Sequence, residues 1–261
     1  MRAVPIDGIH ALFDLTGETL GDGTVIPPGR LLRSGFTEPL SPAAARDLRA
    51  YGLTSVIDLR SPREVAKAPG ILLETPGVRH SLVSVGDDAS APRPENWHAL
   101  SEMYLRLAEE HGAGIRKVVQ FVAQRGDGGT LVHCTTGRDR TGLVVAIILR
   151  ALGVPDDVIV TRHRRVSGAV AGYVALRRLR WLAKGRDPAH FEALHRGSDE
   201  ALVQVFQWMD ERFGGAGPYL EAQGEGGDLV AGLHASFASL KEDSAYALDA
   251  SVRVAGEGHA H

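Results

Sequence analysis

Short apolar runs alternate with stretches of helical spacing in the first 155 residues. Runs rich in β-branched and aliphatic residues predict strands at 29–35, 55–59 and 130–133, with a weaker candidate at 78–83. Helical spacing predicts helices at 95–110, 114–124 and 140–152, and another that starts at Ser41-Pro42 and ends at Gly52. This alternation predicts an α/β fold with a small, mainly parallel central sheet flanked by helices.

Beyond residue 155 the pattern is helical and predicts no strand. The predicted helices cover 156–166, 169–184, 188–195, 199–213 and 229–240. We therefore expect a helical C-terminal half added to the α/β core, within one domain over residues 1–240. Residues 241–261 are polar and lack periodicity, so we expect a loosely ordered tail there.

Composition narrows the class of protein. A hydrophobic content of 44% is that of a soluble globular protein, and a net charge of −3 gives no general attraction to nucleic acid. The longest apolar run, 143–149, is too short to span a bilayer, and residues 1–14 lack the pattern of a signal peptide. We expect a cytoplasmic protein with no nucleic-acid partner and no stable membrane anchor, and export without a cleaved signal stays open.

One segment, 161–196, departs from the overall charge balance. It contains nine lysines and arginines against two acids, a local charge of +7. The cations are Arg162, Arg164, Arg165, Arg177, Arg178, Arg180, Lys184, Arg186 and Arg196. Such a run is often only a solvated helix face. The alternative is a basic rim or lid that attracts an anionic substrate.

The single cysteine lies in the most informative segment of the sequence. The segment reads His133-Cys134-Thr135-Thr136-Gly137-Arg138-Asp139-Arg140-Thr141-Gly142. Apolar runs on both sides predict a strand, a short loop and a helix, with a thiol at the start of the loop and a guanidinium at its end. A lone cysteine is usually a buried packing residue. The three charged residues at 138–140 argue against that interpretation here.

The loop has the size and composition of a phosphate site. Backbone N–H groups over 135–139 can point inward, and the following helix adds the positive end of its dipole. These surroundings favour a thiolate on Cys134, which can attack phosphorus. The planar guanidinium of Arg140 suits two phosphate oxygens and the charge of the transition state. Further predicted phosphate-binding residues are Thr135, Thr136, Gly137 and Arg138. The predicted supporting residues are His133, which can orient the loop, and Thr141, whose hydroxyl can donate to the sulfur.

A general acid must protonate the leaving alcohol, and the same group can then activate water as a base. Asp139 lies in the loop itself, and Asp87 and Asp88 lie in a polar loop that could reach the pocket. Residue types and spacing leave the choice among these three open. Asp58 follows a predicted strand, and we expect it to have a structural role, such as pairing with a nearby arginine.

The cysteine segment resembles the phosphate-binding signature of the cysteine-dependent protein tyrosine phosphatases. It is most similar to the atypical bacterial tyrosine/lipid phosphatases, whose signature reads His-Cys-x-x-Gly-Lys-Asp-Arg-Thr-Gly. Weaker similarity occurs in the same order at Arg33-Ser34-Gly35, at Asp58-Leu59-Arg60 with Glu64, at 153–160 and at 218–224. The similarity spans roughly residues 5–240.

The resemblance implies a single α/β phosphatase domain and a cysteinyl-phosphate intermediate, with no metal and no other cofactor. It favours Asp139 as the general acid, and it implies a helical lid in the position of the basic segment 161–196. Two departures concern substrate preference. Arg138 stands where the family has lysine, and Arg162-His163 stands where it often has Asp-Tyr.

We expect a protein-tyrosine phosphatase acting on phosphotyrosine proteins. The basic segment supports an alternative with the same chemistry, a phosphoinositide phosphatase. A rhodanese-type sulfurtransferase also places a cysteine before a helix, but its loop is usually shorter. A non-catalytic phosphate-binding module tends to lose the nucleophile, whereas this chain keeps Cys134, Asp139 and Arg140.

Overall fold

A six-stranded sheet lies at the centre of the computed structural model, which describes residues 1–35, 41–69, 76–86, 100–124, 126–193 and 195–238. The strands are β1 (Arg2–Ala3), β2 (Phe13–Asp14), β3 (Leu31–Ser34), β4 (Leu53–Asp58), β5 (Arg79–Leu82) and β6 (Gly129–His133). Their order across the sheet is β1-β2-β3-β6-β4-β5. The last four run parallel, whereas β1 pairs antiparallel with β2, and β2 pairs antiparallel with β3. The predicted mainly parallel α/β sheet is confirmed.

Helices flank this sheet and form the C-terminal half. In the first 155 residues they are α1 (Pro42–Ala50), α2 (Pro62–Lys67), α3 (Leu100–Glu110), α4 (Gly112–Ala123) and α5 (Asp139–Ala151). They are followed by α6 (Asp156–Ala169), α7 (Ala171–Leu182), α8 (Pro188–Ala193), α9 (Ser198–Phe213), α10 (Ala216–Ala222) and α11 (Leu229–Ala238). None of the helices in these described ranges is long and apolar enough to cross a membrane.

Two apolar clusters hold the sheet and helices together. The larger extends in sequence from Leu15 to Phe237, and the smaller packs Leu48 of α1 against Val56 and Leu131 of the sheet. Helix α5 lies within the larger cluster, against α3, α4, α6, α9 and α10 as well as β3 and β6. Ten of its thirteen residues are buried. The core therefore fixes the position of the helix that follows the cysteine loop.

The structure adds short elements that the apolar pattern did not predict. Strands β1 and β2 have two residues each, too few to show an alternating pattern. Helix α2 has a capping box, in which Ser61 and Glu64 each accept a hydrogen bond from the other's backbone N–H. That motif is legible in the sequence, whereas the short α10 has no cap signal.

The prediction for the C-terminal half agrees with the structure, and other predictions fall outside the described residues. Beyond residue 155 the described residues contain no strand. Asp87 and Asp88, residues 95–99 of a predicted helix and the predicted tail at 241–261 lie outside the described residues. The boundaries of a single domain over 1–240 stay a prediction.

Candidate active site

The cysteine loop leaves the carboxyl end of the central strand β6. This strand lies between β3 and β4, and His133 at its end pairs with Ser34 on one side and Asp58 on the other. The loop then spans Cys134–Arg138, and α5 begins at Asp139. Ligands of parallel α/β sheets bind at this edge, beyond the carboxyl ends of the strands. The predicted strand, loop and helix are present in that order.

Cys134 lies at the bottom of the loop, where its side chain is buried. The backbone N–H of Gly137 donates to its Sγ at 3.3 Å, so the loop curls back over the sulfur. Gly137 has a φ of +70°, and a Cβ at this position would collide with the backbone of Ser34 and Gly35. A glycine is therefore required for the turn that brings this N–H group to the thiol.

Arg140 is held by a carboxylate from α2. Its Nη1 and Nη2 donate to the two oxygens of Glu64, each at 2.7 Å, and Nη2 also donates to the hydroxyl of Thr135 at 3.1 Å. The Thr135 hydroxyl in turn donates to Glu64 at 2.9 Å. Burial alone would raise the pKa of Glu64, but Arg140 outweighs it and lowers that pKa to about 2. The guanidinium is thus fixed in orientation before any phosphate binds.

Asp139 accepts hydrogen bonds from two side chains. Arg138 donates to its two oxygens at 2.8 and 3.3 Å, and the Tyr104 hydroxyl from α3 donates to Oδ1 at 3.1 Å. Burial alone would raise the pKa of Asp139, but the charge and hydrogen bonds of Arg138 hold it below its ordinary value. Arg138 also donates to the backbone carbonyl of His195 at 3.4 Å. It therefore links the predicted acid to the segment that follows α8.

A third guanidinium, that of Arg33, contacts the backbone of the loop. Arg33 of β3 donates to the carbonyl of Gly137 at 2.6 Å, and burial lowers its pKa to about 10. His163 of α6 lies beside Gly142, and its Nε2 is 3.4 Å from the Tyr104 hydroxyl. Burial and the nearby charge of Arg33 lower the pKa of His163 to about 3, so the ring is neutral at pH 7.

A second polar cluster lies at the ends of β4 and β6. Arg60 donates to both oxygens of Asp58, with a shortest distance of 2.7 Å, which confirms the expected pairing of Asp58 with an arginine. The Nδ1 of His133 is 3.2 Å from the Cys134 carbonyl, and burial lowers the pKa of this ring. Candidate ligand atoms of Asp58, His80 and His133 lie within 4.8 Å of one another. Because Arg60 already neutralises Asp58, the cluster is poorly suited to a cation.

The sequence matches the tyrosine phosphatase family over residues 4–237. The chain belongs to the tyrosine phosphatase family. It is 32% identical over 181 residues to the triple specificity protein phosphatase PtpB of Mycobacterium tuberculosis, covering 56% of this chain and 64% of that protein. It is 30% identical over 144 residues to a tyrosine-protein phosphatase of Nostoc commune, covering 54% and 49% respectively. The matches span less than two thirds of the length of these relatives.

Likeness to solved structures is weaker. The core catalytic domain of the PP-IP phosphatase SIW14 from S. cerevisiae superimposes with a TM-score of 0.37 at 17% identity, over 63% of this chain and 78% of that one. TpbA of P. aeruginosa gives a TM-score of 0.34 at 14% identity, over 73% and 96% respectively.

The structure brings most of the predicted site residues together around the loop, but some of them have interaction partners other than the predicted ones. Arg138, predicted to bind phosphate, directs its guanidinium to Asp139. The buried Thr141 hydroxyl has no hydrogen-bond partner in the described part of the chain, so its predicted hydrogen bond to the sulfur is not made in this state. Thr136 is half-buried in the loop. Asp87 and Asp88, the other two candidate acids, lie outside the described residues.

Three further side chains that contact the loop or its acid, and a fourth that contacts one of these three, were not among the predicted site residues. They are Arg33, Glu64, Tyr104 and His163. The first two lie in segments that resemble the family, so the sequence did carry a signal for them. Tyr104 lies on a helix of ordinary apolar spacing, and His163 stands where the family often has tyrosine. Neither has a local motif that would reveal its position.

The basic segment is less charged than its composition indicates. Arg162 pairs with Glu18 at 2.8 Å and Arg164 pairs with Asp199 at 2.6 Å, and both acids lie outside the segment. Arg178 pairs with Glu192 at 2.8 Å. Part of the local charge of +7 is therefore neutralised by acids that a count along the sequence leaves out. Closure of this segment as a lid stays a prediction.

Proposed function

We propose that this chain is a phosphomonoester hydrolase, a protein-tyrosine phosphatase that works through a cysteinyl-phosphate intermediate on Cys134. The observation that carries this proposal is the setting of the thiol. Its Sγ accepts the Gly137 N–H at 3.3 Å. The charges of Arg33, Arg138 and Arg140 all interact with it. One thiol among three guanidinium groups suits attack on a dianionic phosphate, which a thiolate alone would repel.

In the first step the Cys134 thiolate attacks phosphorus and the bond from phosphorus to the leaving oxygen breaks. Arg140, held by Glu64, presents its donors to the equatorial phosphate oxygens and stabilises the charge that they carry in the transition state. Asp139 donates a proton to the departing oxygen. The products of this step are the free alcohol and the cysteinyl-phosphate.

Asp139 must be protonated for that first step, although Arg138 favours its ionised form in the unliganded protein. A phosphate dianion bound in the loop places a like charge near the carboxylate, which raises its pKa. Substrate therefore favours the protonated acid at the stage that needs it. In the second step the ionised Asp139 removes a proton from water, the water oxygen attacks phosphorus, and the sulfur–phosphorus bond breaks to release phosphate.

Phosphotyrosine is the substrate that best suits a buried nucleophile. With only 2% of Cys134 exposed, an aryl phosphate extends further into the pocket than the phosphate of serine. One observation supports a phosphoinositide as the second candidate, because Arg177 and Arg180 lie exposed on α7 with no ion pair in the described part of the structure. The relative PtpB bears the name of a triple specificity phosphatase, which is compatible with either substrate.

The replacement Cys134→Ser tests the mechanism. We expect turnover of a phosphotyrosine peptide to fall on the order of 10⁵-fold, since serine lacks the thiolate, while phosphate still binds to the loop. Near-normal turnover by the variant would rule out the covalent intermediate. Thiosulfate turnover by the native chain, with no phosphatase activity, would instead indicate a sulfurtransferase.

A substrate panel tests the choice of substrate. Phosphotyrosine, phosphoserine and phosphothreonine peptides are compared with a phosphoinositide by kcat/KM. We expect phosphotyrosine to be preferred. A preference of more than about tenfold for the lipid, equal to about 1.4 kcal/mol in the barrier, would reverse the order of the two candidates.

A further inference from the structure

Helix α7 has no buried residue along its twelve residues. Tyr173, Leu176 and Leu179 are exposed to 37%, 56% and 62%, and they are three of the six large apolar side chains that the described part of the protein exposes. A helix of this length ordinarily turns its apolar side chains to the core. These three face outward, so core packing does not account for them.

The inward face of α7 is formed by other residues. Val174, Arg178, Trp181 and Leu182 are half-buried, at a spacing that places them on one side of the helix. Arg178 pairs with Glu192 of α8 at 2.8 Å, and the ring of Trp181 meets that of Phe191 edge-on at 5.7 Å. These contacts attach α7 to α8 and leave the opposite side of α7 exposed.

Cations lie beside the exposed apolar side chains. Arg177 and Arg180 are exposed on α7, and Lys184 is exposed one turn beyond Arg180. The structure records no ion pair for these three among the described residues, in contrast to Arg178. Helices that lie in the plane of a membrane interface have this composition, with an apolar stripe bordered by lysine and arginine. Anionic lipid headgroups are complementary to its charge.

A chain of contacts joins α7 to the cysteine loop. Arg138 of the loop donates to the carbonyl of His195, whose ring stacks on Phe191 with centroids 3.8 Å apart. Phe191 in turn meets Trp181 of α7. A surface bound to α7 would thus be held close in the structure to the residues that bind phosphate.

We propose that the outward face of α7 docks the protein on the surface of a membrane rich in anionic phospholipid. Tyr173, Leu176 and Leu179 enter the headgroup region, and Arg177, Arg180 and Lys184 contact lipid phosphates. This peripheral binding goes beyond phosphate hydrolysis and does not require it. Both contributions are needed, because neither a short apolar stripe nor three cations alone binds a membrane strongly.

Vesicle co-sedimentation of the full chain tests this proposal without any turnover. The two vesicle types are phosphatidylcholine alone and phosphatidylcholine with about 30% phosphatidylglycerol, neither of which contains a phosphatase substrate. We expect binding to the anionic vesicles only, weakened by salt because the charges are exposed. Equal binding to both types, or to neither, would overturn the proposal.

Matched variants identify the surface. Replacing Arg177, Arg180 and Lys184 together by glutamine should weaken binding on the order of 100-fold, about fivefold for each cation. The control replaces three exposed cations elsewhere by glutamine, namely Arg46, Lys117 and Arg212, and should change binding less than about threefold. The same loss in the control as in the α7 variant would show general electrostatics and contradict docking through α7.

A second pair of variants isolates the apolar contribution. Leu176→Ser with Leu179→Ser should weaken binding by about tenfold or more, whereas Val25→Ser with Val203→Ser, which are also exposed, should leave it unchanged. Hydrolysis of a soluble aryl phosphate should be unaffected by either pair. Loss of that hydrolysis would indicate that α7 acts in catalysis. If the native chain self-associates and the Leu176/Leu179 variant does not, the outward face of α7 would bind a second copy of the chain and not a membrane. Vesicle binding by a chain with no phosphatase activity would refute the proposed function and leave this inference standing.

Discussion

Helices α5 and α7 have nearly the same length and are both rich in apolar residues, yet the structure uses them differently. In α5 ten of thirteen residues are buried, and in α7 none of twelve is buried. The charged residues at the start of α5 are paired, Asp139 with Arg138 and Arg140 with Glu64. On α7, Arg177 and Arg180 project from the surface with no ion pair in the described part of the chain.

The difference separates two aspects of function. A helix fixed on all sides can hold a reacting group to a small tolerance, and this is what a phosphate loop needs. An exposed helix cannot supply such precision, but it can meet a large partner surface. We therefore assign the proposed reaction to the loop before α5, and the proposed docking on a membrane to α7. Each assignment can be tested by changes on one helix that leave the other intact.

Among changes made on the two helices, the largest expected effect follows from Arg140→Lys at the start of α5. Lysine keeps the charge but loses the planar pair of donors that binds two oxygens, so kcat should fall about 10³-fold, equal to about 4 kcal/mol. Turnover of an aryl phosphate is the measurement. Arg150→Lys is the control on the same helix, because Arg150 pairs with Asp156 and Asp210 away from the loop. Its kcat should stay within about twofold of the native value, and a comparable loss in both variants would refute a specific role for Arg140.

The next effect concerns the stability of the two helices. Ile147→Ala removes a fully buried side chain of α5, and the cavity should lower the free energy of unfolding by about 3 kcal/mol. Leu176→Ala truncates an exposed side chain of α7 and should change it by less than about 0.5 kcal/mol. Urea unfolding followed by circular dichroism measures both. If the two variants were equally destabilised, α7 would be packed against the protein in solution and unavailable for docking.

The sequence predicts the α5 region well because its chemistry is local. Cys134, Asp139 and Arg140 lie close together in the sequence, in the loop and the first turn of α5, so this one segment predicts a phosphate site. The parallel sheet is predictable for a similar reason, because each buried strand is a short apolar run. Strands β1 and β2 are too short to show such a run. The sequence likewise contains no local signal that decides between Asp139 and the residues at 87–88.

Contacts across the fold are what the sequence could not predict. Arg33 and Gly137 are 104 residues apart, Glu64 and Arg140 are 76 apart, and no periodicity relates them. For α7 the spacing predicts the helix but not its exposure, since an apolar stripe at helical spacing ordinarily indicates a buried side and here Leu176 and Leu179 are exposed. The ion pairs of Arg162 and Arg164 with acids from outside the segment are equally invisible to a local count of charge.

The smallest effect concerns the link between the two regions, which runs through Arg138. In the native protein Arg138 lowers the pKa of Asp139. Without this guanidinium, the burial of the carboxyl group raises that pKa. The acid function requires the protonated form, so activity falls as pH rises through this pKa. Arg138→Gln should therefore move the descending limb of the kcat/KM profile to higher pH, measured with an aryl phosphate that has a poor leaving group. Arg177→Gln on α7 removes the same charge at a distance and should leave the limb in place. If the limb did not move in Arg138→Gln, Arg138 would not control the charge of Asp139. Its remaining role would be the hydrogen bond to His195, which joins the loop to the segment after α8.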